Sequence, residues 1–317
     1  MKRGGLFFYA FFALPTQSSQ EEGMKINSFM SWVGGKKALR DEILMRFPKE
    51  YTRYIEVFGG GGWVLFHKPP GNDFEVYNDF NPNLVNLYRC VRGKTKELEE
   101  KLTFTLNSRL DFEYMKSILK TPGKMGDVKR AAYFYQIIRQ SYASGCDTYG
   151  GQPRSMWKNF PLIWAATERL QSVVVENKDL KKLIRQYDRE ESFFYCDPPY
   201  FATEDYYDGG GFGQDDHARL ANCLCGMNGK FLLSYNDCPE IRELYDRPGI
   251  CMESIERLSN IAQRYEGGQM YAELLIANYD VTELAKQEIQ LTLFNNFADY
   301  QDVLKERKII LCNQSNS

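Results

Sequence analysis

The stretch Tyr54-Ile55-Glu56-Val57-Phe58-Gly59-Gly60-Gly61-Gly62 sets the frame for the whole chain. A short run of strand character (54–58) ends in four glycines. Glycines after a strand let a ligand approach the backbone closely, with a helix N-terminus just beyond. The run is not the G-x-G-x-x-G of a dinucleotide fold, nor a Walker loop, which ends in G-K-[ST]. The next strand candidate, "FEVYND" (74–79), ends in Asp79, twenty-one residues after Phe58. A carboxylate there is placed to accept hydrogen bonds from two ribose hydroxyls. Its plainer role, a helix N-cap, suits Asn81 better, with Pro82 in the first turn and Gly93 as the stop. Without a diphosphate motif, a nucleoside fits better than a dinucleotide.

Outward from this unit the rhythm repeats. Strand candidates follow at 173–179, 192–197, 230–237 and 271–280, with helical stretches at 38–47, 81–92, 215–226 and 239–245. Alternating strands and helices predict an α/β protein with a mostly parallel sheet covered on both faces. In such sheets ligands bind outside the carboxyl ends of the strands. Here strand after strand ends in Gly, Asp or Asn, and that repetition points to a site.

The stretch 94–170 breaks the rhythm and reads as helices and loops. Between Lys124 and Leu170 it holds seven Lys/Arg against three acids, interleaved with aromatics, around the loop or hairpin "SGCDTYGGQPRS". This is the best local candidate for contacting phosphates and bases. Most of its aromatics are expected to be the core of a small helical unit.

Composition bounds the rest. The chain has 317 residues, 43% hydrophobic and 26% charged, with a net charge of -2, so no global basic signature marks a simple nucleic-acid coat. Eight cysteines form no C-x-x-C pair, and the two histidines, His67 and His217, lie far apart, so no zinc site is expected. The cysteines read as small apolar residues of a reducing, cytoplasmic compartment. At the N-terminus, Lys2 and Arg3 precede "GLFFYAFFALP". This resembles a short signal peptide but is read here as an extension (1–23) upstream of a working start at Met24. It is too short to span a membrane.

The stretch 192–200, "SFFYCDPPY", carries the chemistry. An apolar run stops at a carboxylate, two prolines that cannot donate to a sheet, and a ring. Consider an exocyclic amine on a nucleobase, such as adenine N6. Its lone pair is delocalised into the ring, and acceptors at both amino hydrogens free it. Asp197 supplies one acceptor and the Pro198 carbonyl the other, stiffened by Pro199, while Tyr200 stacks on the base. In a duplex the base must first be flipped out. A methyl sulfonium is a suitable electrophile and needs no metal.

Taken in order, "SWVGGKKALRDEILMRFP", "EVFGGGGWVLF", "VYNDFNPNLVNLY", CDPPY and "YAELLIANYD" resemble the motifs of Dam-type DNA adenine-N6 methyltransferases over residues 28–280. DPPY alone is shared with cytosine-N4, RNA and protein glutamine methyltransferases; the ordered set is far more specific. The resemblance implies a Rossmann-like methyltransferase fold with an antiparallel closing strand. It implies S-adenosylmethionine as cofactor and double-stranded DNA as substrate. Trp32 and Lys36 would line the cofactor site, Lys36 near the methionine carboxylate, and Phe58, Gly59, Gly60 and Gly61 would form its floor. Asp79 would hold the ribose and Asp179 meet the cofactor adenine. Asp197, Pro198, Pro199 and Tyr200 would hold the target adenine. Taken singly, Trp32 could be core and Lys36 a solvated helix start.

The expected organisation is a catalytic domain in two pieces (24–93 and 171–280), a recognition insert (94–170) and a tail (281–317). Arg139, Tyr142, Tyr149, Arg154 and Lys158 are the candidate DNA contacts of the insert. Asn236 and Asp237 are expected to cap the helix at Pro239. In the tail, Gln290, Leu291, Leu293 and Phe294 form "QLTLF", which resembles a bacterial sliding-clamp peptide. A segment packed on the parent domain is the preferred reading of that peptide. Two other readings of the whole chain stay open: an RNA or cytosine-N4 amino-methyltransferase, and a DNA-binding module with a dead site.

Overall fold

The computed structural model describes residues 25–121, 123–203, 211–258 and 270–286. The N-terminal extension and the QLTLF peptide lie outside the described residues. The strands β1 (Arg53–Glu56), β2 (Phe74–Asn78), β3 (Val173–Glu176), β4 (Ser192–Cys196) and β5 (Lys230–Asn236) are parallel. The whole of β4 and the centre of β5 are buried, which is why they read as apolar runs. β7 (Met270–Ala277) pairs antiparallel with β5 and with the edge strand β6 (Cys251–Leu258). The order is β3-β2-β1-β4-β5-β7-β6, a Rossmann-like sheet with an antiparallel closing strand, as expected. The sequence pattern did not yield β6, because its acids and Arg257 interrupt the apolar run and an edge strand needs only one partner.

Strand order reverses between β1 and β4, so their carboxyl ends flank the crevice of a doubly wound sheet. The glycine run follows β1 and DPPY follows β4, which puts the two motifs face to face. Helices cover both sides. On one side lie α8 (Leu180–Tyr187), α9 (Gln214–Leu224) and α10 (Pro239–Tyr245), which bury Leu183, Leu220 and Ile241 with Phe194 and Leu233. On the other lie α1 (Arg40–Leu44), α2 (Trp63–His67) and α3 (Pro82–Gly93). Asn81 caps α3, its side chain accepting from the Asn83 and Leu84 backbone N–H groups, as its position predicted.

The insert is helical: α4 (Thr95–Thr103), α5 (Arg109–Lys120), α6 (Asp127–Gln140) and α7 (Phe160–Arg169). Its core is continuous with that side of the sheet, since Phe112, Phe134, Tyr135 and Ile163 share one cluster with Phe29, Leu87 and Tyr88. A buried fork fastens its return: Arg169 at the end of α7 donates to both carboxylate oxygens of Glu75 in β2, 2.5 and 2.7 Å away. Lys68 reaches the same carboxylate at 3.0 Å. Bidentate, charge-assisted bonds of this kind fix orientation, so the insert is held in register with the crevice.

Candidate active site

The glycine run is shaped by its neighbours. Gly59 abuts the Tyr77 ring so closely that a Cβ would lie 2.1 Å from it. Gly60 takes a left-handed φ of 49° and carries the Trp32 ring where a Cβ would stand. The Gly60 peptide is gripped on both sides. Its N–H donates to Asp79 Oδ2 (2.9 Å), and its carbonyl accepts the Tyr77 and Tyr88 hydroxyls (2.8 and 3.1 Å). Asp79 Oδ1 accepts the Asn81 N–H at 2.8 Å. Burial pushes the Asp79 carboxyl up, partly offset by the backbone N–H groups of Asn81, Gly60 and Phe80. The acid at the end of β2 is therefore locked to the loop after β1.

Across the crevice the corner after β4 is built from charges. Asp197 Oδ1 accepts from Lys36 Nζ (2.5 Å) and from the Ser234 hydroxyl of β5 (3.3 Å). Asp197 Oδ2 takes no hydrogen bond among the described residues, and the side chain keeps 17% exposure. Burial pushes Asp197 up to about 6, against the pull of the Lys36 ammonium. Burial by itself would lower Lys36, but Asp197 and Glu273 outweigh it and hold the ammonium charged. Lys36 also donates to the Tyr200 hydroxyl (2.8 Å) and lies 4.7 Å from the centre of its ring.

Both motifs line one cavity of about 590 Å3. Trp32, Lys36, Phe58, Gly59, Gly60, Gly61, Asp79, Asp179, Asp197 and Pro199 all reach its wall. Asp179 does double duty: it caps α8 through the Lys181 and Lys182 N–H groups and pairs with Arg219 at 2.6 Å. Lys36 lines the cavity, with its ammonium engaged at the DPPY corner.

The insert closes one side of the cavity with Phe134, Ile137 and the 144–146 loop. That loop belongs to a hairpin whose base is the Ser141–Tyr149 bridge. Ala143, Ser144 and Cys146 all have positive φ there, while Gly145 between them stays at a φ of -76°. None of the candidate DNA contacts reaches the cavity. Arg154 and Lys158 are exposed, Tyr142 is half-exposed, and Arg139 is partly buried. Tyr149 holds the hairpin down, its hydroxyl on Asn107 (3.1 Å) and its ring under the Arg109 guanidinium (4.8 Å).

Three residues of the site were not foreseen. Glu273 of β7 is fully buried and accepts the Tyr200 hydroxyl; Ser234 tethers Asp197. Glu56 of β1 is a buried carboxyl on the cavity wall, pushed up to about 8 by burial. Asn236 and Asp237 do not cap the helix at Pro239, where Cys238 is the N-cap residue and makes no side-chain cap bond. Asn236 instead faces back and accepts the Phe201 N–H (3.1 Å), while Asp237 pairs with Arg242 (2.6 Å). The available signal for Glu273 and Glu56 was a single acid inside an apolar run. His67 and His217 are buried, bonded to Asp41 and Tyr235.

Comparison with known proteins agrees with this geometry. The D12 class N6 adenine-specific DNA methyltransferase family matches over residues 32–265. Among similar proteins is the Type II methyltransferase M1.LlaDCHI of Lactococcus lactis subsp. cremoris. It is 28% identical over 283 residues, 82% of this chain and 98% of its own length. The Type II methyltransferase M.MjaIII of Methanocaldococcus jannaschii is 29% identical over 297 residues, 81% of this chain and 100% of its own. The DNA adenine methylase of Haemophilus influenzae is 25% identical over 284 residues, 82% of this chain and 96% of its own. With the matched span running from Trp32 through the glycine loop, the insert and DPPY, the chain belongs to the D12 class of N6 adenine-specific DNA methyltransferases.

Proposed function

We propose that this enzyme binds S-adenosylmethionine in the cavity between the glycine loop and DPPY and methylates N6 of an adenine flipped out of double-stranded DNA. The observation that carries this is the Asp197 carboxylate: one oxygen is tethered by Lys36 and Ser234, the other is left for a ligand at the cavity wall.

The residues present fit the cofactor. About 590 Å3 is within the range of sites for molecules of that size. Asp79, whose oxygens accept the Gly60 and Asn81 N–H groups, keeps lone pairs for ribose hydroxyls. Phe58, Phe80, Leu180 and Phe212 offer apolar walls to a purine, with Asp179 beside them. When bound, S-adenosylmethionine supplies an electrophilic methyl group on a sulfonium.

The chain's own residues prepare the nucleophile. Asp197 Oδ2 and the Pro198 carbonyl accept the two N6 hydrogens, which favours a tetrahedral nitrogen with a free lone pair. The Tyr200 ring stacks on the base. A carboxylate raised to about 6 is ionised at neutral pH yet more basic than an ordinary aspartate, so Asp197 can hold the proton that N6 releases. Lys36, cationic throughout, keeps the corner from accumulating negative charge. The insert residues Arg154, Lys158 and Tyr142 would contact DNA, and the cytoplasm is where that DNA would be met.

Labelled methyl transfer to DNA, followed by nucleoside analysis, tests the reading. Asp197→Ala is expected to lower transfer by about 1,000-fold while calorimetry shows cofactor still bound. Label recovered in N4-methylcytosine, or in RNA but not DNA, would overturn it.

A further inference from the structure

We propose that Glu273 is a positioning residue for this reaction, fixing the Tyr200 ring and the Lys36 ammonium so that Asp197 keeps one oxygen free for the target amine. The proposal rests on the reading that residues 197–200 hold the adenine.

Glu273 stands on β7 directly opposite Asn236 of β5. This cross-strand pair holds the DPPY corner at two levels. Asn236 grips the main chain, accepting the Phe201 N–H (3.1 Å) and donating to the Phe201 carbonyl (3.4 Å). Glu273 grips the side chain, accepting the Tyr200 hydroxyl. The same carboxylate lies 3.4 Å from Lys36 Nζ, so the ammonium is suspended between Glu273 and Asp197.

Glu273 has 0% exposure, and its neighbours Leu274, Leu275 and Ile276 are core. A buried carboxylate is costly unless partnered, and an apolar residue usually serves folding as well or better. The acid is therefore best explained by what it holds. Without it, the Tyr200 hydroxyl keeps only the Lys36 ammonium of its two partners here, and the ring can swing about its side-chain bonds. Lys36 is then shared with no second carboxylate and is drawn fully onto Asp197. Both changes act on groups that meet the base, while Glu273 itself does not.

The test is steady-state methyl transfer to duplex DNA by the full chain. Glu273→Ala is expected to lower kcat about 100-fold, the scale of a small misplacement of reacting groups. KM for cofactor and Kd for DNA should stay within about threefold. Glu273→Gln, whose amide oxygen still accepts the Tyr200 hydroxyl, should recover about tenfold of that loss. Glu273→Ala combined with Tyr200→Phe should cost less than the product of the single losses, because both remove the same Tyr200–Glu273 bond. A wild-type kcat in Glu273→Ala, or equal losses in kcat and cofactor affinity, would overturn the proposal. If Glu273→Ala does not fold, Glu273→Gln and Tyr200→Phe decide it: both must lower kcat at unchanged cofactor affinity. Wild-type enzyme and Asp197→Ala on the same DNA separate the two readings. No transfer by the wild type removes the reading beneath; transfer lost in Asp197→Ala but intact in the Glu273 variants removes only this proposal.

Discussion

The two rims of the crevice are built in opposite ways. The glycine-loop rim is held through the backbone: Asp79 accepts the Gly60 and Asn81 N–H groups, and the Gly60 carbonyl accepts two tyrosine hydroxyls. The DPPY rim is held by charge: Lys36 is shared by Asp197, Glu273 and the Tyr200 hydroxyl. A rim fixed by backbone dipoles is rigid, which suits binding. A rim of coupled charges can accept and hold a proton, which suits chemistry. The contrast predicts that changes at the first rim alter affinity and changes at the second alter rate.

The largest effect should follow loss of the cation. Lys36→Met leaves Asp197 and Glu273 buried without their shared partner, a cost of about 3–5 kcal/mol. Chemical denaturation should show a large loss of stability, and transfer rate should collapse in the folded fraction. Next, Asp79→Asn at the opposite rim should weaken cofactor binding by about 1.5–3 kcal/mol, read by calorimetry, with kcat at saturating cofactor almost unchanged. A fall in kcat there would erase the distinction between the rims.

The pH profile is a finer probe. The acceptor form of Asp197 is the carboxylate, whose pKa is pushed up to about 6 by burial. Single-turnover rates should therefore rise with pH, about tenfold per unit below 6, and level off above it. A profile flat from pH 5 to 8 would deny Asp197 that role.

The smallest effect concerns Glu56, between the rims. Burial pushes its carboxyl from 4.5 up to about 8, so between those values the folded chain binds more protons than the unfolded one. Stability then falls as pH rises through that window. Glu56→Gln should flatten the decline between pH 6 and 8.5, measured by urea denaturation, with modest change in cofactor affinity.

Much of the site was legible because its parts are strand ends. Gly59, Asp79, Asp179 and Asp197 each terminate an apolar run, and a parallel sheet gathers those ends on one side. The direct resemblance to known motifs carried Trp32 and Lys36 to the same wall. Glu273 escaped because its partner Tyr200 is 73 residues away, across a pairing that no local pattern announces. Asn236 and Asp237 were misread for a related reason. A polar residue before a proline-started helix resembles a cap, but Asn236 points across the sheet to Phe201. In the insert, the contacts by which Tyr149 braces the hairpin foot against Asn107 and Arg109 are likewise announced by no local pattern.

The chain's own order of residues settled the alternation of strands and helices, the glycine turn, the acid after β2 and the proline corner, since these depend on φ, missing donors and short-range periodicity. Long-range pairing alone brought Lys36, Asp197, Tyr200 and Glu273 into one cluster. It left one Asp197 oxygen tethered and the other without a hydrogen bond among the described residues, because a buried charge takes its character from whatever the fold packs around it.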